Sequence, residues 1–168
     1  MTDSGFTREQ YEQLMKPING SRVKMLDGMA YLEAWDVRAH LIRLFGFGGF
    51  SLELLDYEMA FEEATQTRAG KDAYRVGYRA RIRLTIPALG AVYTEAAFGD
   101  SIMPASKRGD AHDLAIKTAE SQALKRAAMN LGTQFGLSLY NNATTSDIVG
   151  RTLVAPEATT AEPGEAAA

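Results

Sequence analysis

The sequence predicts an α+β fold in which an antiparallel β-meander, preceded by an N-terminal hairpin, packs against a long C-terminal helix and a shorter helix. Three observations predict it. Extended runs at Ser51 to Glu63, Tyr74 to Ile86 and Val92 to Phe98 are separated by turn signals. An alanine-rich stretch of helical character, Asp110 to about Leu131, comes after them, and Asp27-Gly28 divides two short apolar runs. Strands gathered together, rather than alternating with helices, belong to folds whose helices lie against one antiparallel sheet.

Each element has a local cause. Thr7-Arg-Glu-Gln10 reads as a capping box, in which the threonine accepts from first-turn amides and the glutamine reaches back; it opens a short helix to about Lys16, ended by Pro17 and Gly20. Val23-Lys-Met-Leu and Met29-Ala-Tyr-Leu flank Asp27-Gly28, a dipeptide that tolerates the positive backbone angles of a two-residue hairpin turn. Ala34 to Phe45 carries Trp35, Val37, Leu41, Ile42, Leu44 and Phe45 at helical spacing, and Gly46 is placed to close that helix in a left-handed cap.

The strands come next. Ala69-Gly70 and Pro87-Ala-Leu-Gly90 supply the turns of the meander, and Gly99 to Gly109 reads as a polar loop before the long helix, which Gly132 ends. Residues 1–150 are expected to form one domain. Residues 151–168 read as a disordered Ala/Glu/Pro/Thr-rich tail, too poor in apolar surface to order itself.

Composition narrows the function classes. A chain of 168 residues, 46% hydrophobic and 23% charged, holds one ordinary core. The absence of cysteine excludes disulfides and cysteine-based zinc sites. Met1 to Gln13 is polar and acidic, unlike a secretion signal, and no apolar run approaches membrane-spanning length, so a cytoplasmic location is expected. The net charge of −3 argues only weakly against a nucleic-acid binder, because Glu157, Glu162 and Glu165 sit in a tail whose one base is Arg151.

Catalytic residues are scarce. His40 and His112 have no spacing that makes a metal site or a nucleophile–base pair, and His40 reads as a packed side chain. Gly46-Phe-Gly-Gly49 lacks the lysine of a phosphate-binding loop and reads as a tight turn. No cofactor is expected. Asp56, Glu58, Glu62 and Glu63 raise the alternative of a metal-dependent nuclease, although no basic residue completes a nuclease motif among them.

Basic residues offer two patterns. Arg75, Arg79, Arg81 and Arg83 project from one face of their strand, opposite a core face of Tyr74, Val76, Tyr78, Ile82, Leu84 and Ile86. They either track a phosphodiester backbone or pair across the hairpin, with Glu58 opposite Arg81 and Asp56 opposite Arg83. On the long helix Lys117, Ser121 and Lys125 share one face, while Gln122, Arg126 and Asn130 form a neighbouring stripe. Lysine and arginine in a last turn also serve simply to complement the helix dipole.

From Tyr31 to Tyr140 the order of these features resembles the annealing domain of the Rad-fifty-two family of single-strand annealing recombination mediators. The carriers are Tyr31-Leu-Glu33, Phe45-Gly-Phe-Gly-Gly-Phe-Ser51, Tyr74-Arg-Val-Gly77, Ala119-Glu120, Ala123-Leu-Lys-Arg-Ala127 and Leu131-Gly132. The resemblance implies ATP-independent annealing of complementary strands by a homo-oligomeric ring that holds single-stranded DNA, in recombination and double-strand break repair. Lys125 and Arg126 match the family's helix-end basic pair, Tyr31 an aromatic beside the groove, and Arg22 or Lys24 a hairpin arginine. Lys107 or Arg108 with Lys71 would approximate an outer DNA site, and Lys117 joins the candidate set.

Met129 departs from the pattern, standing where the family often has another arginine. The family's C-terminal regions for a recombinase or a single-strand binding protein are expected to be missing. A single-strand DNA-binding protein is kept as a candidate partner, and no membrane is expected. Compact forms of this kind look like those of phages and bacteria, which implies a nucleoid-associated or phage-encoded protein in a bacterial host. The alternatives are the nuclease and a structural oligomer without DNA binding.

Overall fold

A computed structural model describes residues 5–154 and 156. Helix α1 (Arg8–Leu14) opens with the expected capping box: the Gln10 amide donates to Thr7 Oγ1 and the Thr7 amide to Gln10 Oε1. Gln10 also anchors α1 by donating from Nε2 to the Leu44 carbonyl at 2.6 Å. Strands β1 (Lys24–Leu26) and β2 (Met29–Tyr31) form the hairpin, with Asp27 and Gly28 both at positive φ, 49° and 80°.

Helix α2 (Ala34–Phe45) has the predicted bounds and buries Val37, Leu41 and Leu44. Gly46 has φ 78° but ψ 171°, so it turns the chain outward instead of making the expected left-handed cap. Beyond it lies a three-stranded antiparallel sheet, in the order β3 (Ser51–Gln66), β4 (Asp72–Ile86), β5 (Ala91–Pro104). Helix α3 (Arg108–Met129) lies across β4 and β5.

Two expectations need correction. The polar loop placed at Gly99 to Gly109 is mostly strand: β5 pairs with β4 along its whole length, from Ile86↔Ala91 to Ala73↔Pro104, and α3 starts at Arg108. Gly99 is interior to that strand because the helix backbone crosses it. A Cβ there would collide with the Ala119 amide nitrogen and sit 2.8 Å from the Ala115 carbonyl oxygen. Glycine inside a strand commonly marks such a close approach.

The cross-strand register is the second correction. The turn closes with the Thr67 amide on the Lys71 carbonyl, and bulges leave Leu55 and Ala60 without partners. Asp56 therefore faces Arg81, Glu58 faces Arg79 and Glu53 faces Arg83. Glu58–Arg81 and Asp56–Arg83 do not pair.

The core lies between the α2, β4 and α3 surfaces. Ala111, Ala115, Ala119, Ala123 and Ala127 recur every fourth residue and are fully buried, which presents a flat stripe on which the sheet settles closely. Leu124 extends this contact toward Val37, Leu41, Ile82 and Leu84. After α3 the chain makes two 3-10 turns, Thr133–Phe135 and Leu137–Tyr140, that pack Phe135 and Leu139 beneath β2 and α2. Most of the tail expected over 151–168 lies outside the described residues. Arg151 to Val154 are exposed, and Thr152 donates to the Tyr11 hydroxyl at 2.9 Å.

Candidate nucleic-acid interface

The hairpin, the end of α3 and the turns beyond it enclose an open cavity of about 770 Å³. Its walls are Leu26 and Met29 from the hairpin, Gln122 and Met129 from α3, and Tyr140 and Asn142 from the segment beyond. Tyr31 and Lys125 both line it. Pairing across the hairpin sets Lys24 opposite Tyr31, and α3 brings Lys125 Nζ to 5.3 Å from the Tyr31 ring centroid. Thus Tyr31 and Lys125 come together although they lie far apart in sequence, and Lys24 stands beside Tyr31 on the hairpin.

Lys125 differs electrostatically from the other cations. It is half-buried, no carboxylate pairs with it among the described residues, and loss of water pushes its ammonium below the usual lysine range. The other unpaired bases, Lys24, Lys71 and Lys107 among them, are exposed. Against the Tyr31 face the ammonium has cation–π attraction, which replaces only part of its lost hydration. An anion entering the cavity meets a cation that no carboxylate neutralises.

Arg126 points elsewhere. Successive helical residues are about 100° apart around the axis, so adjacent bases cannot share one groove face. Arg126 instead reaches Glu95 on β5, at 3.3 Å. Arg22 is also committed internally: it is mostly buried, bonds Asp36 through two nitrogens at 2.9 to 3.2 Å, and donates to Gln134 Oε1 at 3.1 Å. Gln134 donates in turn to the Lys16 and Pro17 carbonyls. This network fixes the 3-10 segment Gly20–Arg22 from which the hairpin springs.

Lys117 is exposed and paired with Asp113 at 2.6 Å, one turn earlier on α3. Lys71, Lys107 and Arg108 belong to the opposite end of the sheet, because Ala73 pairs with Pro104. Arg108 is 17 residues before Lys125 on one helix, which separates the two ends by about 25 Å. Arg108 bonds Glu62 and lies over the Tyr74 ring, 4.9 Å from its centroid. The Arg108 guanidinium, more than any other neighbour, holds the Glu62 carboxyl below the usual range. His112 is tied to Glu62 at 2.7 Å and to the Tyr78 hydroxyl at 3.0 Å, so it braces α3 against β3 and β4.

The arginine strand is an ion-pair ladder. Arg79 faces Glu58 at 4.0 Å, Arg81 bonds Asp56, and Arg83 bonds Glu53 at 3.1 Å. Arg75 turns to β5, pairing with Asp100 at 2.8 Å and lying 5.3 Å from the Phe61 centroid. Of the acids of β3, Glu53, Asp56 and Glu58 pair with arginines on one face and Glu62 with Arg108 and His112 on the other, while Glu63 is exposed. Among the described residues no group of three or more His, Asp or Glu side chains is placed to hold a metal ion.

The sequence pattern alone does not reveal Tyr140 and Asn142 as cavity residues, or Arg68 as an exposed base in the same turn as Lys71. Gln122, read from the sequence in a stripe with Arg126 and Asn130, lines the cavity with Lys125, one turn away on α3.

The profile of the family described as Rad52/22 family double-strand break repair protein matches residues 6–154, which contain every α-helix and β-strand of the fold. The chain belongs to the Rad52/22 family. Two relatives agree with that membership. The DNA repair and recombination protein rti1 of Schizosaccharomyces pombe is 29% identical over 113 residues, 67% of this chain and 29% of the relative. The DNA repair and recombination protein RAD52 of Eremothecium gossypii is 28% identical over 113 residues, 67% of this chain and 24% of the relative. The matched segment thus spans under a third of these relatives. Membership in the Rad52/22 family connects the chain with DNA recombination and repair. No helix among the described residues is long and apolar enough to cross a membrane.

Proposed function

We propose that this chain binds single-stranded DNA and anneals complementary strands without ATP, acting as a homo-oligomer. The observation that carries the reading is Lys125: a half-buried cation without a carboxylate partner among the described residues, set against Tyr31 in an open groove. Phosphates approaching Lys125 and Lys24 release their counterions, which favours binding irrespective of base sequence. The exposed Tyr140 beside the cavity offers a face for sugar or base. Strands held by their backbones keep their base edges available, and Watson–Crick pairing then selects the partner strand.

Arg22 enters this reading as the residue that positions the hairpin, and Arg126 as one whose pairing with Glu95 a phosphate must displace. Lys71, Lys107 and Arg68 form a separate basic end that suits a second contact with DNA. Self-association is supported by β3, an edge strand that α3 reaches near Glu62 and leaves uncovered before it. Its Leu54, Tyr57 and Met59 are exposed on the side that faces the helix, and another copy would cover them.

Filter binding tests the reading against a structural oligomer that ignores DNA. Single-stranded DNA is retained at low salt by the wild-type chain and poorly by K125A. Absence of retention by the wild type contradicts the reading. Magnesium-dependent loss of the labelled strand would instead favour the nuclease.

A further inference from the structure

The setting of Lys125 suits a second kind of chemistry. A primary amine attacks carbonyl carbon only as the neutral base, and burial, with no carboxylate partner among the described residues, raises the fraction of Lys125 in that form. The amine also needs room beside it for the electrophile. Here the cavity of about 770 Å³ lies within the range of small-ligand sites, and its polar lining comes from Gln122, Tyr140 and Asn142.

If the groove holds single-stranded DNA, that is the molecule that passes this amine. Intact DNA carries no electrophile for it. A nucleotide that has lost its base does: its deoxyribose opens to an aldehyde at C1′ while both flanking phosphates remain. The missing base also removes the bulk that would keep the sugar out of the cavity. One nucleotide therefore presents an anion for the basic groove and an aldehyde for the amine.

We propose that Lys125 captures abasic nucleotides in single-stranded DNA as a Schiff base between Nζ and C1′. This rests on the single-stranded DNA reading of the same groove. The neutral Nζ adds to C1′, and the carbonyl oxygen gains the proton that the nitrogen gives up, forming a carbinolamine. Its hydroxyl group leaves as water with the second proton from Nζ, and the C1′–Nζ double bond replaces the C1′–O double bond. No electrons are transferred to another molecule, and hydrolysis reverses the step.

The same lining restrains any reaction of the imine. Strand scission from it requires a base to remove a C2′ proton as the 3′ phosphate departs. Among the described residues no carboxylate and no histidine lines this cavity. The site accordingly holds the damaged strand and does not cut it.

The test incubates the full chain with a single-stranded oligonucleotide containing one abasic site, in the presence of sodium cyanoborohydride, and resolves the products on a denaturing gel. The expected result is a covalent adduct whose peptide mass maps the sugar to Lys125, with little strand scission when the reductant is omitted. K125R, which keeps the charge but not the nucleophile, loses the adduct. Binding of the intact strand is measured in parallel by fluorescence anisotropy. Binding by the wild type without adduct, or an adduct mapped to another amine, overturns the capture and leaves the DNA-binding reading in place. Absence of binding overturns both. Mapping on the wild type decides the outcome even where a variant folds poorly.

Discussion

Lys125 Nζ lies 5.3 Å from the centre of the Tyr31 ring, in a groove where no carboxylate among the described residues reaches it. That relationship joins the end of the long helix to the hairpin, and it marks the face that the proposed function assigns to a nucleic-acid backbone.

Its first consequence concerns salt. Each phosphate neutralised on a single strand contributes about 0.7 to the slope of log affinity against log salt. K125A is expected to lower affinity and reduce that slope by about this amount for each copy engaged, measured by anisotropy across a salt series. An unchanged slope would remove Lys125 from the phosphate contacts.

Arg22 and Asp36 supply a second test. Both are nearly buried, with side-chain exposures of 12% and 7%, and removing one partner of a buried pair costs about 3–5 kcal/mol. D36A is expected to lower stability and to weaken DNA binding as R22A does, even though it removes a negative charge. Tighter binding by a stably folded D36A would instead make Arg22 a phosphate ligand.

His40 predicts a pH dependence. It is packed edge-on against Phe135, with both ring nitrogens buried and unpartnered among the described residues, and burial first, then Arg22 and Arg43, pushes it down to about 4 from 6.5. The unfolded chain takes up this proton below pH 6.5 while the folded chain resists until about pH 4. Stability is thus fully present above pH 6.5 and is lost as the pH falls through that window, by about 3 kcal/mol. Denaturant titrations at pH 7 and pH 4.5 should show the loss in the wild type and a smaller one in H40L. Equal losses would contradict the assignment.

The arginine ladder predicts a near-silent phenotype. The Arg81–Asp56 and Arg83–Glu53 pairs are about half exposed, and such pairs contribute about 0–1 kcal/mol each. R81A and R83A should shift thermal midpoints only slightly and leave single-strand affinity near that of the wild type. A large loss of affinity would show that the guanidinium groups leave their carboxylates for DNA.

Much of this was legible in short-range patterns. Asp27-Gly28, the Thr7–Gln10 box and the α2 periodicity each specify an element from neighbouring residues alone. The ladder was legible in kind because strand faces alternate strictly. The turn and the Ala60 bulge together moved the pairing near Arg81 by two residues, which preserves the face while changing the partners. Gly99 was not legible, since its need for a hydrogen in place of Cβ arises from a helix that reaches it only in the fold.

The site divides in the same way. Lys125 and Tyr31 were visible as residue types, but their contact depends on the hairpin folding over α3. Arg22 carried no local sign of its commitment, because Asp36 and Gln134 meet it only through packing. The divergence of Lys125 and Arg126 follows from helical geometry, and the identity of Glu95 as the second partner does not.

The most direct measurement is the ATP-free annealing rate of complementary oligonucleotides, with the mass of the assembly determined in the same buffer. The wild-type chain is predicted to accelerate annealing as an oligomer. The Lys125→Ala, Arg126→Ala double variant is predicted to assemble to the same mass and anneal poorly. A double variant that anneals at the wild-type rate at moderate salt would contradict the assignment of this groove.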